Sequence, residues 1–230
     1  MFLFIKDISI PQHLLFAQYL SEKMNKELVV KESSDFTHTK NDSDFADTLQ
    51  GLSADLIFIS CKCQKRVVQK WLNLSRQLRI PYIFLTDIMA IPQEIATILT
   101  PVSMFEEEVH KAQFAAHISR YTNATILLLT AHDYGSKAQN NTNKITTLFD
   151  KMNVKYEKIQ AHKDSFKLQK EIIDHKFTSE NPYQISLITA SRDYGLDDIF
   201  FGPQERHTIC NSLVPTMLIN PRGDLYSLCD

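Results

Sequence analysis

The sequence predicts an α/β fold built from two tandem units with parallel sheets. Three observations carry this reading. Short apolar runs of strand length recur through the 230 residues, separated by stretches with helical periodicity. Apolar strands that alternate with helices imply parallel pairing, with both faces of the sheet covered. The alternation then begins again after a proline-marked connector at 86–93 and runs more fully, which suggests an internal duplication with a shortened first copy. The units are expected at 1–90 and 94–222.

Residues 2–6 form the first strand. Pro11 suits the first turn of the following helix, whose apolar face is Leu14, Leu15, Ala17, Tyr19, Leu20 and Met24. A second strand is expected at 27–30. Residues 33–44 are polar and turn-rich, and 45–52 have room for one or two helical turns. Residues 55–60 (Asp-Leu-Ile-Phe-Ile-Ser) have the continuous apolar pattern of a buried strand. A helix at 67–78 and a strand at 81–85 follow. In the second unit, strands are expected at 94–102, 125–130, 155–159, 185–190 and 215–219. The helices between them are expected at 106–121, 144–152, 166–175 and 203–212, with 135–143 as a polar loop. Glu106, Glu107 and Glu108 suit a first helical turn, where negative charge meets the positive end of the helix dipole.

Composition removes several classes of function. The formal charge of −2 leaves no basic field to attract nucleic acid or acidic lipid. No apolar run approaches the roughly 20 residues that cross a bilayer. The apolar start Met1-Phe2-Leu3-Phe4-Ile5 is followed at once by Lys6 and Asp7, so it reads as a strand rather than a secretory signal. Cys61, Cys63, Cys210 and Cys229 are too few and too scattered for a disulfide framework, which points to a reducing cytoplasm. Only 5 glycines occur, and neither a G-x-G-x-x-G nor a Walker-type phosphate loop can be written.

Two stretches carry a resemblance. Ile98-Leu99-Thr100-Pro101-Val102-Ser103, followed by Glu106-Glu107-Glu108, and the close Phe200-Phe201-Gly202-Pro203-Gln204-Glu205-Arg206 with Val214-Pro215-Thr216-Met217-Leu218-Ile219, are similar to the opening and the close of the universal stress protein family. Phe4-Ile5-Lys6-Asp7-Ile8-Ser9 and Ile80-Pro81-Tyr82-Ile83-Phe84-Leu85 echo them in the first half. The resemblance implies two units of the Rossmann-like, adenine nucleotide alpha hydrolase-like kind, with strand order 3-2-1-4-5. It also implies a nucleotide site, and here the sequence departs from the family. Nucleotide-binding members carry a glycine, two residues, a second glycine, nine residues, and then glycine with serine or threonine. Counting back from Gly202 puts Thr189 and Arg192 at the first two glycines, and Pro203 at the hydroxyl position. Ser103 stands at the place of the family's aspartate. Arg192 brings a long side chain where phosphate meets bare backbone, and Pro203 removes a helix N-terminal donor, although an arginine is also able to hold phosphate bidentately. In the first half, Asp7 and Ser9 keep the aspartate and small polar positions, but no glycine follows the strand at 55–60.

The expected function is therefore that of a cytoplasmic universal-stress-type regulatory protein, acting by protein or ligand binding rather than catalysis, with a degenerate nucleotide site. The alternatives are an ATP- or AMP-binding switch or slow ATPase using an altered site, and an enzyme or carrier for another small molecule involving Cys61 or His132. No bound cofactor is expected, with ATP or another adenine nucleotide left open. The strands at 81–85 and 215–219 are both apolar and are expected to pair antiparallel, as an intramolecular version of the family's dimer, with further homodimerisation undecided.

Other residue groups read more plainly. Cys61 and Cys63, at the carboxyl end of a strand, lack nearby ligands for a metal and read as small residues in a turn. The eight histidines form no metal-binding spacing, and His132 with Asp133 reads as loop. Lys62, Lys65, Arg66 and Lys70 read as a solvated helix face.

Overall fold

The computed structural model, which describes residues 1–37, 39, 41–173, 183–190 and 204–221, divides into two compact units. One comprises Met1–Gln93 with Ala190–Asp230, and the other Glu94–Thr189. In chain order the elements are β1 (Phe2–Lys6), α1 (Pro11–Lys23), β2 (Leu28–Glu32), α2 (Asp42–Gly51), β3 (Leu56–Cys61), α3 (Lys65–Ser75) and β4 (Tyr82–Thr86). The second unit follows with β5 (Thr97–Val102), α4 (Lys111–Thr122), β6 (Thr125–Thr130), α5 (Lys137–Lys151), β7 (Tyr156–Gln160), α6 (Leu168–Ile173) and β8 (Ile185–Thr189). The chain then returns to the first unit with α7 (Gln204–Asn211) and β9 (Thr216–Ile219).

The α/β class and the parallel pairing agree with the sequence reading. In the first unit β1 lies between β2 and β3, with Phe4 opposite Val30 and Phe58, and β4 runs parallel to β3. The expected pairing of the two apolar strands is present: β9 runs antiparallel to β4, with Tyr82 opposite Leu218, Ile83 opposite Met217 and Phe84 opposite Thr216. In the second unit β7, β6, β5 and β8 follow one another in parallel, which reproduces the 3-2-1-4 part of the expected order. The order departs from 3-2-1-4-5 in the first unit, which runs β2-β1-β3-β4-β9. The reason is local. Between β2 and β3 the chain makes only a 3-10 turn at Ser33–Phe36 and then α2, with no intervening strand among the described residues.

The cores explain why these elements hold. In the first unit Phe2, Phe16 and Phe58 meet edge to face, and a second aromatic cluster joins Phe36, Phe45 and Trp71. In the second, the β5, β6 and β8 residues Ile98, Leu99, Ile126, Leu128, Ile185 and Leu187 are buried, as are Ala112, Ala115 and Ala116 of α4 and Ile145 and Phe149 of α5. Such burial is the main favourable term in folding. The outer strands β2 and β7 are partly exposed and carry Lys31, Glu32, Glu157 and Lys158, charges that discourage pairing with a foreign strand. Asn220, just past β9, donates to the carbonyls of Ser75 (2.8 Å) and Leu78 (2.9 Å) and accepts from the Tyr82 hydroxyl (3.0 Å). This fastens the returning strand to the end of α3.

Two helices begin five or more residues from where they are expected. The chain over 106–121 is not one helix: Glu106–His110 is a 3-10 turn and α4 starts at Lys111. Conversely, α5 starts at Lys137, inside the expected loop. Its polar residues Asn141 and Thr142 are buried against polar partners, so their polarity did not mark solvent.

Candidate functional site

In parallel α/β sheets, ligands bind at the carboxyl ends of the strands. At that edge of the second unit, β5 delivers Ser103 and β8 ends on Thr189. The 3-10 turn folds Glu108 back between them. Ser103 Oγ donates to Glu108 Oε1 (2.5 Å), Thr189 Oγ1 donates to Glu108 Oε2 (3.0 Å), and Lys111 Nζ forms an ion pair with the same Oε2. Lys111 is 1% exposed and Glu108 8%. Burial pulls the Lys111 ammonium below its ordinary range, opposed by the charge and hydrogen bond of Glu108. Asn141 from α5 donates to the carbonyls of Ser103 (3.0 Å) and Phe105 (2.8 Å), fixing the loop that carries Ser103. Ser165 Oγ accepts from the Met104 amide (2.8 Å), and Ser165 in turn donates through its amide and hydroxyl to Asp133. Asp133 therefore ties two loops together, while His132 is exposed, as expected for a loop.

The same edge of the first unit is built differently. The Asp7 and Ile8 amides both donate to the Ser60 carbonyl, at 2.9 and 3.1 Å. Asp7 is half-buried and Ser9 exposed. His13, in the first turn of α1 and 1% exposed, places Nδ1 2.7 Å from Ser60 Oγ and also bonds to the Thr86 backbone. Burial lowers the His13 pKa, opposed by that backbone bond and by the Asp87 charge. With its pKa below the ordinary 6.5 the ring is mostly neutral at pH 7, and the Ser60 hydroxyl also reaches the Ile8 carbonyl as a donor (3.2 Å). Ser60 is fully buried, so this serine–histidine pair holds the turn between β1 and α1 and offers no nucleophile to a substrate. Cys61 is also buried, and its thiol is pushed up first by burial and then by the Asp7 charge. The Cys63 amide donates to Asp87 Oδ1 (2.6 Å) and its thiol to the Cys210 carbonyl (3.1 Å), so Cys63 does more than turn the chain. Lys62, Lys65, Arg66 and Lys70 are exposed, as expected of a solvated face.

Of the expected site residues, Ser103 and Thr189 come together through Glu108 in the second unit, and Asp7 and Ser9 lie at the edge of the first. Arg192, Gly202 and Pro203 lie outside the described residues. Sequence reading missed Glu108, Lys111 and Asn141, although the i, i+3 spacing of Glu108 and Lys111 is visible in the sequence. It assigned Glu108 to a helix dipole, whereas the 3-10 turn directs that side chain inward. Around Glu108 the Ser103 and Thr189 hydroxyls both donate to the carboxylate, which Lys111 pairs. Among the described residues, no group of three or more histidine, cysteine or acidic side chains is placed to hold a metal ion.

The chain is similar in structure to a universal stress protein from Archaeoglobus fulgidus, with a TM-score of 0.64, 11% identity and 97% of each chain covered. It is also similar to a putative universal stress protein from Pseudomonas aeruginosa, with a TM-score of 0.56, 12% identity, and 97% of this chain and 82% of the other covered. A functionally unknown protein from Pseudomonas aeruginosa PAO1 matches with a TM-score of 0.55 at 12% identity, over 97% of this chain and 82% of that one. No family model and no curated protein matches the chain in sequence. At these identities the likeness establishes the fold, which is that of the universal stress proteins.

Proposed function

We propose that the chain is a universal-stress-type regulatory protein that works by binding a protein or a small-molecule ligand, with a degenerate nucleotide site. The observation that carries this is the single carboxylate of Glu108, which takes up the hydroxyls of Ser103 and Thr189 together with the Lys111 ammonium. In this reading an internal ion pair engages Ser103, at the place of the family's aspartate, and Thr189, at the place of its first glycine. The fold of the universal stress proteins supports the class, as an analogy of scaffold. In this reading the two units are tandem copies, and the β4–β9 pairing is the intramolecular version of the family's dimer. The formal charge of −2 argues against nucleic acid as a partner. Among the described residues no helix is long and apolar enough to cross a membrane. Within this reading the protein acts in the cytoplasm.

The test is thermal unfolding with and without millimolar ATP and magnesium, repeated with ADP and AMP. A native-state site filled at about 100 times its dissociation constant stabilises by roughly 2.7 kcal/mol, a readily measured shift. The expected result is no shift with any of the three. A saturable shift that Asp7→Ala or Arg192→Ala removes would establish the alternative, a nucleotide-binding switch or slow ATPase.

A further inference from the structure

Cys63 and Cys210 are 147 positions apart in sequence, yet the fold sets the Cys63 thiol against the Cys210 backbone. Cys63 sits in the turn between β3 and α3, and Cys210 in the last turn of α7. The Cys63 thiol donates to the Cys210 carbonyl (3.1 Å), and the two side chains are close enough to shift each other's ionisation. Both residues are half-buried, so a small oxidant reaches them, whereas Cys61 beside them is fully buried. The contact is held in place on both sides. One helical turn before Cys210, Arg206 donates to Gln69 of α3 (3.2 Å), and the Cys63 amide is pinned by Asp87 (2.6 Å). The remaining cysteine, Cys229, lies outside the described residues.

We propose that Cys63 and Cys210 are a peroxide-sensitive thiol pair that closes to a disulfide, clasping α7 and β9 onto the α3 side of the first unit. Cys63 reacts first. Burial is the largest cause raising both thiols, Cys210 to about 12; at Cys63 the Asp87 charge adds to the rise and the Cys210 side chain opposes it. The Cys63 thiolate attacks one oxygen of hydrogen peroxide. An S–O bond forms, the O–O bond breaks, and hydroxide leaves to become water, giving the sulfenic acid. Cys210 sulfur then attacks Cys63 sulfur. The S–S bond forms, the S–O bond breaks, and the departing hydroxide takes the Cys210 proton as a second water. Two thiols lose two electrons in total, and one peroxide gains them. The closed loop runs from residue 63 to residue 210 and contains every residue of the second unit. A cross-link that closes so long a loop restricts the unfolded chain strongly.

The experiment uses the full chain, reduced and freed of reductant, and treated with hydrogen peroxide. Digestion without reductant, followed by mass spectrometry, is expected to yield a disulfide-linked peptide pair containing Cys63 and Cys210, with Cys61 recovered as a free thiol. The oxidised protein is expected to melt at least about 4 °C above the reduced protein. Cys63→Ser and Cys210→Ser should each lose both effects while keeping the circular dichroism of the reduced parent. The reduced wild type serves as the second comparison if either variant folds poorly, since it differs from the oxidised form only in the bond. Oxidation that stops at sulfinic acid, or that links chains through Cys229 without the 63–210 pair, would overturn the proposal. So would a 63–210 linkage that leaves the melting temperature unchanged.

Discussion

At the carboxyl edge of its sheet the first unit buries a neutral pair, His13 with Ser60, whereas the second buries an ion pair, Glu108 with Lys111. The surrounding architecture is the same in kind: parallel strands ending beside the first turn of a helix. The electrostatic problem is solved in opposite ways. In the first unit burial removes the charge from the imidazole, and the ring's remaining polar atoms are matched to a hydroxyl and a carbonyl. In the second, the ammonium is set against a carboxylate that opposes the effect of its burial, and that carboxylate also accepts from Ser103 and Thr189. A neutral pair costs little to desolvate, while a buried ion pair tolerates the loss of neither partner. The two units should therefore answer mutation and pH differently.

The largest effect is expected at Lys111. Lys111→Met strands the Glu108 carboxylate in the interior, and urea unfolding should show a loss of about 3–5 kcal/mol. Adding Glu108→Gln should recover most of that loss. A double variant no more stable than Lys111→Met would place the cost in packing and break the comparison. At the neutral pair the effect is smaller. Ser60→Ala deprives the buried His13 ring of a partner, at a cost of about 1–3 kcal/mol in the same assay.

That pair also carries a pH signature. His13 has a folded-state pKa below its ordinary 6.5, because burial disfavours the charged ring. The unfolded chain therefore takes up a proton before the folded one does, and stability declines as pH falls below about 6.5. The one tryptophan, Trp71, is buried in the first unit and reports on it by fluorescence. The fluorescence-detected urea midpoint should drop between pH 7 and pH 5 in the wild type, and drop less in His13→Gln. Equal slopes would remove His13 as the cause.

The smallest contrast is at the helix starts. Asn41 Oδ1 accepts from the Asp44 amide (2.9 Å) and caps α2, whereas Ser136 makes no such bond at the start of α5. Asn41→Ala should cost about 1 kcal/mol, and Ser136→Ala should stay within about 0.5 kcal/mol. A comparable loss at both positions would show that the side-chain cap is not what separates the two helices.

These contrasts also mark what the sequence made legible. The strands could be read because fully buried parallel strands are apolar throughout, as in Leu56–Cys61 and Thr125–Thr130. The pairing of β4 with β9 could be inferred because both are apolar and each needed a partner for its edge. The sites were harder. Asn141 and Thr142 look like loop residues, and only tertiary contacts show that their polarity is spent on Ser103, Phe105 and Thr130. Glu108 belongs to a run of three glutamates, and nothing local distinguishes the one that turns inward. Cys210 is far from Cys63 in sequence, so their contact depends on where α7 lands.

The discontinuity of the first unit sets an order of events on the ribosome. β4 emerges complete at Thr86, but the strand that covers its edge begins only at Thr216. At roughly 5–20 residues per second, the intervening stretch takes on the order of 10 s to synthesise. Throughout that interval the nascent chain carries an uncovered apolar edge of Tyr82, Ile83, Phe84 and Leu85, while the second unit has all its residues before β9 is made. The half made first is thus the half finished last, and the growing chain has most need of a chaperone while its own closing strand is still unmade.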